Sequence, residues 1–206
     1  MTAWRVVGVD LSMTNTGVAV IRPGADVDPG LYSIETKALK LPDGADPYPH
    51  MRARLREITA RILRAGKFER PEGEVTLWVI EGPSLGSGTT GKQSHQHTRA
   101  GLWWQTYNQL TLDGLVAVVP PKTLKSYVSK NGNADKVKMM EAAVGTAFPG
   151  INFRGDDNLV DAYGLAAMGC RELGYPVEPS PQRINPGALA AVRWPASTAL
   201  NRSTIA

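Results

Sequence analysis

One cysteine and three histidines in 206 residues put several kinds of protein out of reach. A lone Cys170 cannot close a disulfide within the chain, so a reducing compartment is the expected setting. With so few Cys and His side chains, a tetrahedral structural zinc site is not expected. No run of about 18 uncharged apolar residues occurs, which argues against a membrane-spanning helix. The opening MTAWRVVGVD reaches an acid at position 10 without a basic start or a long apolar stretch, so no secretory leader is expected. The expected location is the cytosol of a bacterium or of a phage-infected host. A large excess of one charge is also missing: 23 basic against 19 acidic side chains give +4. That mild basicity is compatible with a nucleic-acid partner without requiring one. What is present, 42% hydrophobic and 20% charged residues, describes a globular chain long enough for one sizeable domain.

The apolar pattern divides the chain. Trp4–Asp10, Thr16–Arg22 and Leu31–Leu39 read as three successive strands, the first a buried strand ending in an acid. A helix follows over roughly Pro49–Ala65, with Met51, Leu55, Ile58 and Ile62 on one face. Its arginines, Arg52, Arg54, Arg56, Arg61 and Arg64, lie off that stripe and read as a solvated face. Val75–Glu81 is a central-strand signal, again closed by an acid. A glycine-rich loop over 82–91, a helix over Ser94–Leu112 and a strand Leu115–Val119 come next. A short helix Thr123–Ser129 follows. Asn133 is the expected N-cap of a helix reaching Phe148, whose apolar face is Val137, Met140, Val144 and Phe148. A last helix, about Asp157–Leu173, is small and apolar on nearly every side. The expected domain is 1–175, with 176–206 a proline-rich, mostly irregular tail. Strands first, then alternating helices and strands, predict an α/β fold with a mixed sheet covered by helices.

Asp10 and Glu81 both stand at the ends of strong apolar strands. A carboxylate buried there costs several kcal/mol unless it is paired or meets a cation, so core packing does not account for it. Strand ends in open α/β sheets are where ligands gather. Asp161 sits inside the most apolar helix, whose start carries Asp156, Asp157 and Asn158. Asp157 shares a helical face with Asp161 at i, i+4, and so does Asn158 at i, i+3. Asp156 reads as the cap of that helix. For Asp161 the competing reading is a buried acid paired with Lys or Arg. Oxygen ligands from several segments suit a hard cation such as Mg²⁺, with Mn²⁺ as a substitute. Two such ions would serve phosphodiester hydrolysis.

With these residues in place, the chain resembles the RuvC-type Holliday junction resolvases, a branch of the ribonuclease H-like nucleases. The resemblance runs over about residues 4–173. It is carried by VVGVDLSMTNTGVAV, VIEGPS, VVPPKTLKSYVSKNGNADKVKMM and DDNLVDAYGLAAMG, in that order. It implies a ribonuclease H-like mixed five-stranded sheet flanked by helices. It also implies a Mg²⁺-dependent crossover junction endonuclease that serves DNA recombination and repair, and metal-binding acids at Asp10, Glu81 and Asp161. The family's fourth acid lies three residues before the last, which here is Asn158; Asp157 is one residue earlier. Spacing selects one and charge the other, so both stand as candidates. The resemblance further implies a homodimer acting on branched DNA, with much of the contact made by the helix bearing Trp103, Trp104 and Tyr107. Neighbouring tryptophans on a helix cannot both face the core. The family's aromatic close to the second acid is missing here, Pro83 and Leu85 being nearest.

Lys122, Lys125, Lys130, Lys136 and Lys138 cluster near the fifth strand and the next helix, and suit phosphate contacts. A solvated helix face is the competing reading. Lys125 and Lys130 are the preferred contacts, because family lysines lie in that segment. Backbone N–H groups of Gly82–Lys92 are a further candidate for wrapping a phosphate backbone, and Arg183, Arg193 and Arg202 for loose attraction. Other classes remain in view: a flap, fork or RNA–DNA hybrid nuclease, a DNA-binding relative without catalysis, and an actin-like ATPase. The last needs a second domain and a second glycine-rich phosphate turn, which this chain lacks.

Overall fold

Seven residues, Trp4–Asp10, form β1, the middle strand of the molecule, and all but the closing acid are buried. The computed structural model describes residues 3–37, 40–83 and 93–198, with side chains from 96 onward in the last stretch. β1 pairs antiparallel with β2 (Asn15–Ile21), which pairs antiparallel with β3 (Gly30–Glu35). On its other side β1 runs parallel to β4 (Val75–Glu81), and β4 runs parallel to β5 (Leu115–Val119). The order is β3-β2-β1-β4-β5. Parallel strands need cover on both faces, which is why β1 and β4 are buried along nearly their whole length. The result is an α/β fold with a mixed five-stranded sheet flanked by helices, as expected.

Alternate side chains of the sheet serve two cores. Val7, Val9, Val18, Val20, Trp78 and Ile80 pack with Ile58 and Ile62 of α1 (Pro47–Lys67) and with Leu102 and Leu110 of α2 (Gln93–Asp113). Val6, Ala19, Leu77 and Val79 face the opposite way. They meet α3 (Pro121–Ser129), α4 (Lys136–Ala142) and α5 (Asp157–Glu172). Among the α1 arginines, Arg52, Arg56 and Arg64 are exposed, whereas Arg54 reaches the Met13 carbonyl and Arg61 the Glu35 carbonyl.

Two expectations for α4 are corrected. Its N-cap is Asp135, whose carboxylate accepts from the Lys138 amide at 2.9 Å. Asn133 lies in the preceding turn and donates its own amide to Asn131 Oδ1. The buried face is also shifted: Met139, Ala143 and Ala147 face the core, while Val137 and Val144 are 67% and 48% exposed. The helix ends in a π-helical turn, Ala143–Ala147. That wider turn lets Phe148 join the core although it is five residues beyond Ala143.

Residues 176–198 are packed down rather than loose. Two 3-10 turns, Pro181–Arg183 and Pro186–Ala191, each carry proline in the first turn, where its missing N–H does no harm. Ile184, Ala188 and Val192 are buried in the α3/α5 core. Asn185 holds α3 by two bonds, its amide to the Tyr127 carbonyl and its side chain to Ser126 Oγ. Arg193 bridges to Val118 on the free edge of β5. At the start of β1, Arg5 is 1% exposed; it donates to Glu74 and to the carbonyls of Gly66, Phe68 and Glu69 that end α1.

Candidate active site

β1 and β4 lie side by side and parallel, so Asp10 and Glu81 finish on the same edge of the sheet. α5 reaches that edge because two glycines remove obstacles. A Cβ on Gly8 would stand 1.9 Å from the Ala162 carbonyl oxygen, and one on Gly17 would stand 2.1 Å from that of Asn158. Helix backbone therefore rests on strand backbone, and Asp161 comes down beside Asp10. Trp103 secures the other strand: its Nε1–H donates to the Glu81 carbonyl at 2.8 Å, and its ring stacks on Tyr107 at 5.2 Å. Sequence reasoning did not find this anchor; adjacent tryptophans signalled only that one of them faces inward. Trp104, its neighbour, is 56% exposed.

Three carboxylates at this edge resist ionisation. Burial pushes Asp10 well above the usual carboxylate range, and the charges of Asp161, Glu81 and Asp157 push it further. Burial and Asp161 raise Glu81 to about 7, against some relief from Lys125. Burial and Asp157 raise Asp161 to about 6, eased by Lys136 and Lys125. Four acids from β1, β4 and α5 thus feel one another, and two lysines face them.

The candidates divide cleanly at the start of α5. Asp157 pairs with Lys136, and that partnership lifts the ammonium pKa above its ordinary value. Asn158 is held by Asp156: its amide and its Nδ2 both donate to Asp156 Oδ1, at 2.9 and 3.0 Å. Asp156 is the helix cap. Burial opposes its charge, but bonds from Ser33, Asn15 and Asn158 outweigh that and hold its carboxyl below the usual range. The structure therefore brings Asp10, Glu81, Asp157 and Asp161 within electrostatic reach of one another, and ties the side-chain N–H of Asn158 to Asp156.

The lysines divide as well. Lys125 and Lys136 act on the acids. Lys122 and Lys138 are exposed. Lys130 is exposed, and its Nζ donates to the Gln182 carbonyl of the packed C-terminal segment at 2.5 Å. The loop expected to wrap a phosphate backbone, Gly82–Lys92, lies from residue 84 onward outside the described residues.

Among the described residues, no three His, Cys, Asp or Glu side chains stand together as a ready-made metal cage. The donor set still fits a hard divalent ion. Mg²⁺ keeps several waters and takes only one or two carboxylates directly, so four loosely grouped acids suit it better than they would suit zinc. A divalent ion would also meet the unpaid repulsion among Asp10, Glu81 and Asp161, which two monovalent lysines reduce only in part.

No family model matches the chain, and no curated protein does. Among solved structures, it is similar to that of Thermus thermophilus RuvC, with 16% identity and a TM-score of 0.48 over 83% of this chain and 97% of that one. It is also similar to T. thermophilus RuvC in complex with a Holliday junction substrate, with 18% identity and a TM-score of 0.47 over 79% and 90% of the two chains. Among the described residues, no helix is long and apolar enough to cross a membrane.

Proposed function

We propose that this chain is a divalent-metal-dependent endonuclease of branched DNA, with the four-way junction as its principal substrate. One observation carries the reading: three carboxylates meet at one edge of the sheet, each with its pKa raised by burial and by a neighbouring acid, an excess of negative charge that a bound cation would offset. Asp10, Glu81, Asp157 and Asp161 are the acids that would hold Mg²⁺ or Mn²⁺. Asp157 takes the fourth position because Asn158 is committed to Asp156. The bound ions would activate the attacking water and stabilise the leaving oxygen of a phosphodiester.

The chain's own groups supply the rest. Lys125 stands where it can meet a phosphate next to Glu81 and Asp161, and exposed Lys122 and Lys138 extend that positive rim. Lys136, paired with Asp157, offsets part of the negative charge and would be a further cation within reach of a DNA backbone. Trp103 keeps Glu81 in position through its carbonyl. Exposed Trp104 and Leu112, on the outer side of α2, supply the apolar surface for a homodimer.

The deciding experiment is cleavage of end-labelled four-way, forked, flap and linear DNAs, and of an RNA–DNA hybrid, with Mg²⁺, Mn²⁺ or chelator. Paired nicks placed symmetrically across the four-way junction, and none in chelator, are expected. Cutting confined to flaps, forks or hybrid would replace the junction assignment. Binding without any cutting would remove the enzyme.

A further inference from the structure

Asp157 and Asn158 are successive residues of one helix, separated by about 100° around its axis. Which of them faces the acids depends on how the first turn of α5 is rotated. Helix propensity does not set that rotation, because both residues are acceptable in a first turn. Tertiary contacts set it, and they converge on Asp156. Its Oδ1 takes the amide and the side-chain N–H of Asn158. Its Oδ2 takes Asn15 Nδ2 at 3.1 Å and the Ser33 hydroxyl at 2.8 Å. Ser33 also lies 2.7 Å from Asn15 Oδ1. Asn15 opens β2 and Ser33 lies on β3, so one carboxylate ties two strands to the helix start. Both strand residues come from far upstream in the chain, yet their side chains meet at Asp156. The close approach of Gly17 to the Asn158 carbonyl clamps the same turn from beneath.

We infer that Asn15, Ser33 and Asp156 form a latch that selects the fourth metal ligand, holding Asn158 out of the acid cluster and presenting Asp157 to it. The latch rests on the metal-dependent reading proposed above and deepens it. Its members are positioning residues: these hydrogen bonds run among Asn15, Ser33, Asp156 and Asn158. Hydrogen-bonded groups behind a ligand fix its orientation, and losing them commonly weakens metal binding by about 10- to 100-fold.

The test is Mn²⁺ titration of the DNA-free protein, followed by electron paramagnetic resonance and by calorimetry. Ser33→Ala and Asn15→Ala each leave the Asp156 cap intact and are expected to weaken Mn²⁺ binding about tenfold or more. Asp156→Ser keeps a cap for the Asn158 amide but is too short to bridge the two strands, and is expected to weaken binding at least as much. The decisive pair adds Asn158→Asp. With the latch broken by Asp156→Ser, the new acid at 158 is expected to restore affinity. With the latch intact, it is expected not to rescue Asp157→Asn.

Unchanged affinity in folded Ser33→Ala and Asn15→Ala would overturn the latch, and so would rescue of Asp157→Asn by Asn158→Asp in the unbroken background. Folding is checked by circular dichroism and Tm; should Asp156→Ser fail to fold, the two strand variants decide. If the unaltered chain shows no saturable Mn²⁺ binding, and Asp10→Asn behaves identically, the metal reading itself falls and the latch falls with it.

Discussion

The two ends of β1 both bury charge, and they treat it in opposite ways. At the start, the Arg5 guanidinium is almost wholly enclosed, yet every direction it faces is answered: Glu74 lies 2.6 Å away and three carbonyls close α1 around it. Arg22 adds a second cation beside Glu74. At the finish, Asp10 meets Glu81, Asp157 and Asp161, all of its own sign, with Lys136 the cation that acts on it. One end is compensated and therefore structural. The other carries a deficit of positive charge, and on this the proposed cation site rests. A buried charge is informative only together with its partners.

The largest effect expected from breaking this contrast is on the acid end. Asp10→Asn and Glu81→Gln should each lower junction cutting by about a thousandfold or more, as loss of a group that organises developing charge does. The same changes should stabilise the cation-free fold at neutral pH, because each removes a carboxylate that burial and repulsion penalise. For Glu81, moved from 4.5 to about 7, the gain is roughly 1 to 3 kcal/mol after allowance for partial solvent screening. A variant that stops cutting and also melts earlier without metal would contradict the assignment. Single-turnover cleavage and thermal melts in chelator measure the two halves.

Next in size is the compensated end. Arg5→Ala leaves Glu74 buried without its principal partner and three carbonyls without a donor, a change that costs about 3 to 5 kcal/mol. For a chain of this length that lowers Tm by roughly 6 to 20 °C. Mn²⁺ affinity of the remaining folded fraction should be unaltered. Comparable losses of stability from Arg5→Ala and Asp10→Asn would erase the distinction between the ends.

β1 and β4 and their terminal acids were legible because they leave a one-dimensional trace: a mostly apolar run of seven residues closed by Asp or Glu. β5 was readable to the residue because its short apolar run stops at Pro120. The choice between Asp157 and Asn158 was not legible. In the proposed latch it turns on Asn15 and Ser33, more than a hundred positions before Asp156, and no local pattern encodes those contacts. The buried face of α4 was misread because periodicity assumes 3.6 residues per turn, and the π-turn at Ala143–Ala147 breaks that assumption. Prolines concealed the packing of residues 176–198. They exclude long helices, as expected, but leave room for 3-10 turns that bury Ile184 and Val192.

A smaller effect lies in pH. A carboxylate whose pKa is raised on folding binds more protons in the native than in the unfolded state across the interval between the two values. Stability then falls as pH rises through that interval. For Glu81 and Asp161 it runs from about 4 to about 7, so the cation-free protein should be more stable at pH 5 than at pH 7.5. Glu178, raised by burial to about 7 and paired with Arg171, contributes the same sign from elsewhere. Glu81→Gln should therefore flatten the slope without abolishing it. Added Mg²⁺ should act oppositely, stabilising more at pH 8 than at pH 6, because it requires the ionised acids. Equal Mg²⁺ stabilisation at both values would mean that the ion binds away from this cluster.

The contrast between committed and open charge also separates two lysines of nearby sequence, and this gives the smallest effect. Lys125 faces Glu81 and Asp161, whereas Lys130 donates to the Gln182 carbonyl, as Arg5 donates to the end of α1. A lysine that meets a DNA phosphate releases a counterion on binding, so its removal lowers the slope of log affinity against log salt by about one. Lys125→Ala should show that loss, and Lys130→Ala should not. Lys130 has a left-handed backbone, φ 60°, at the end of α3. Lys130→Ala therefore gives up an exposed hydrogen bond while keeping the backbone strain, at about 1 kcal/mol. Lys130→Gly gives up the same bond but relaxes the backbone, so it should melt closer to the parent chain. A salt slope lowered equally by Lys125→Ala and Lys130→Ala would place both lysines on DNA and release Lys130 from the C-terminal segment.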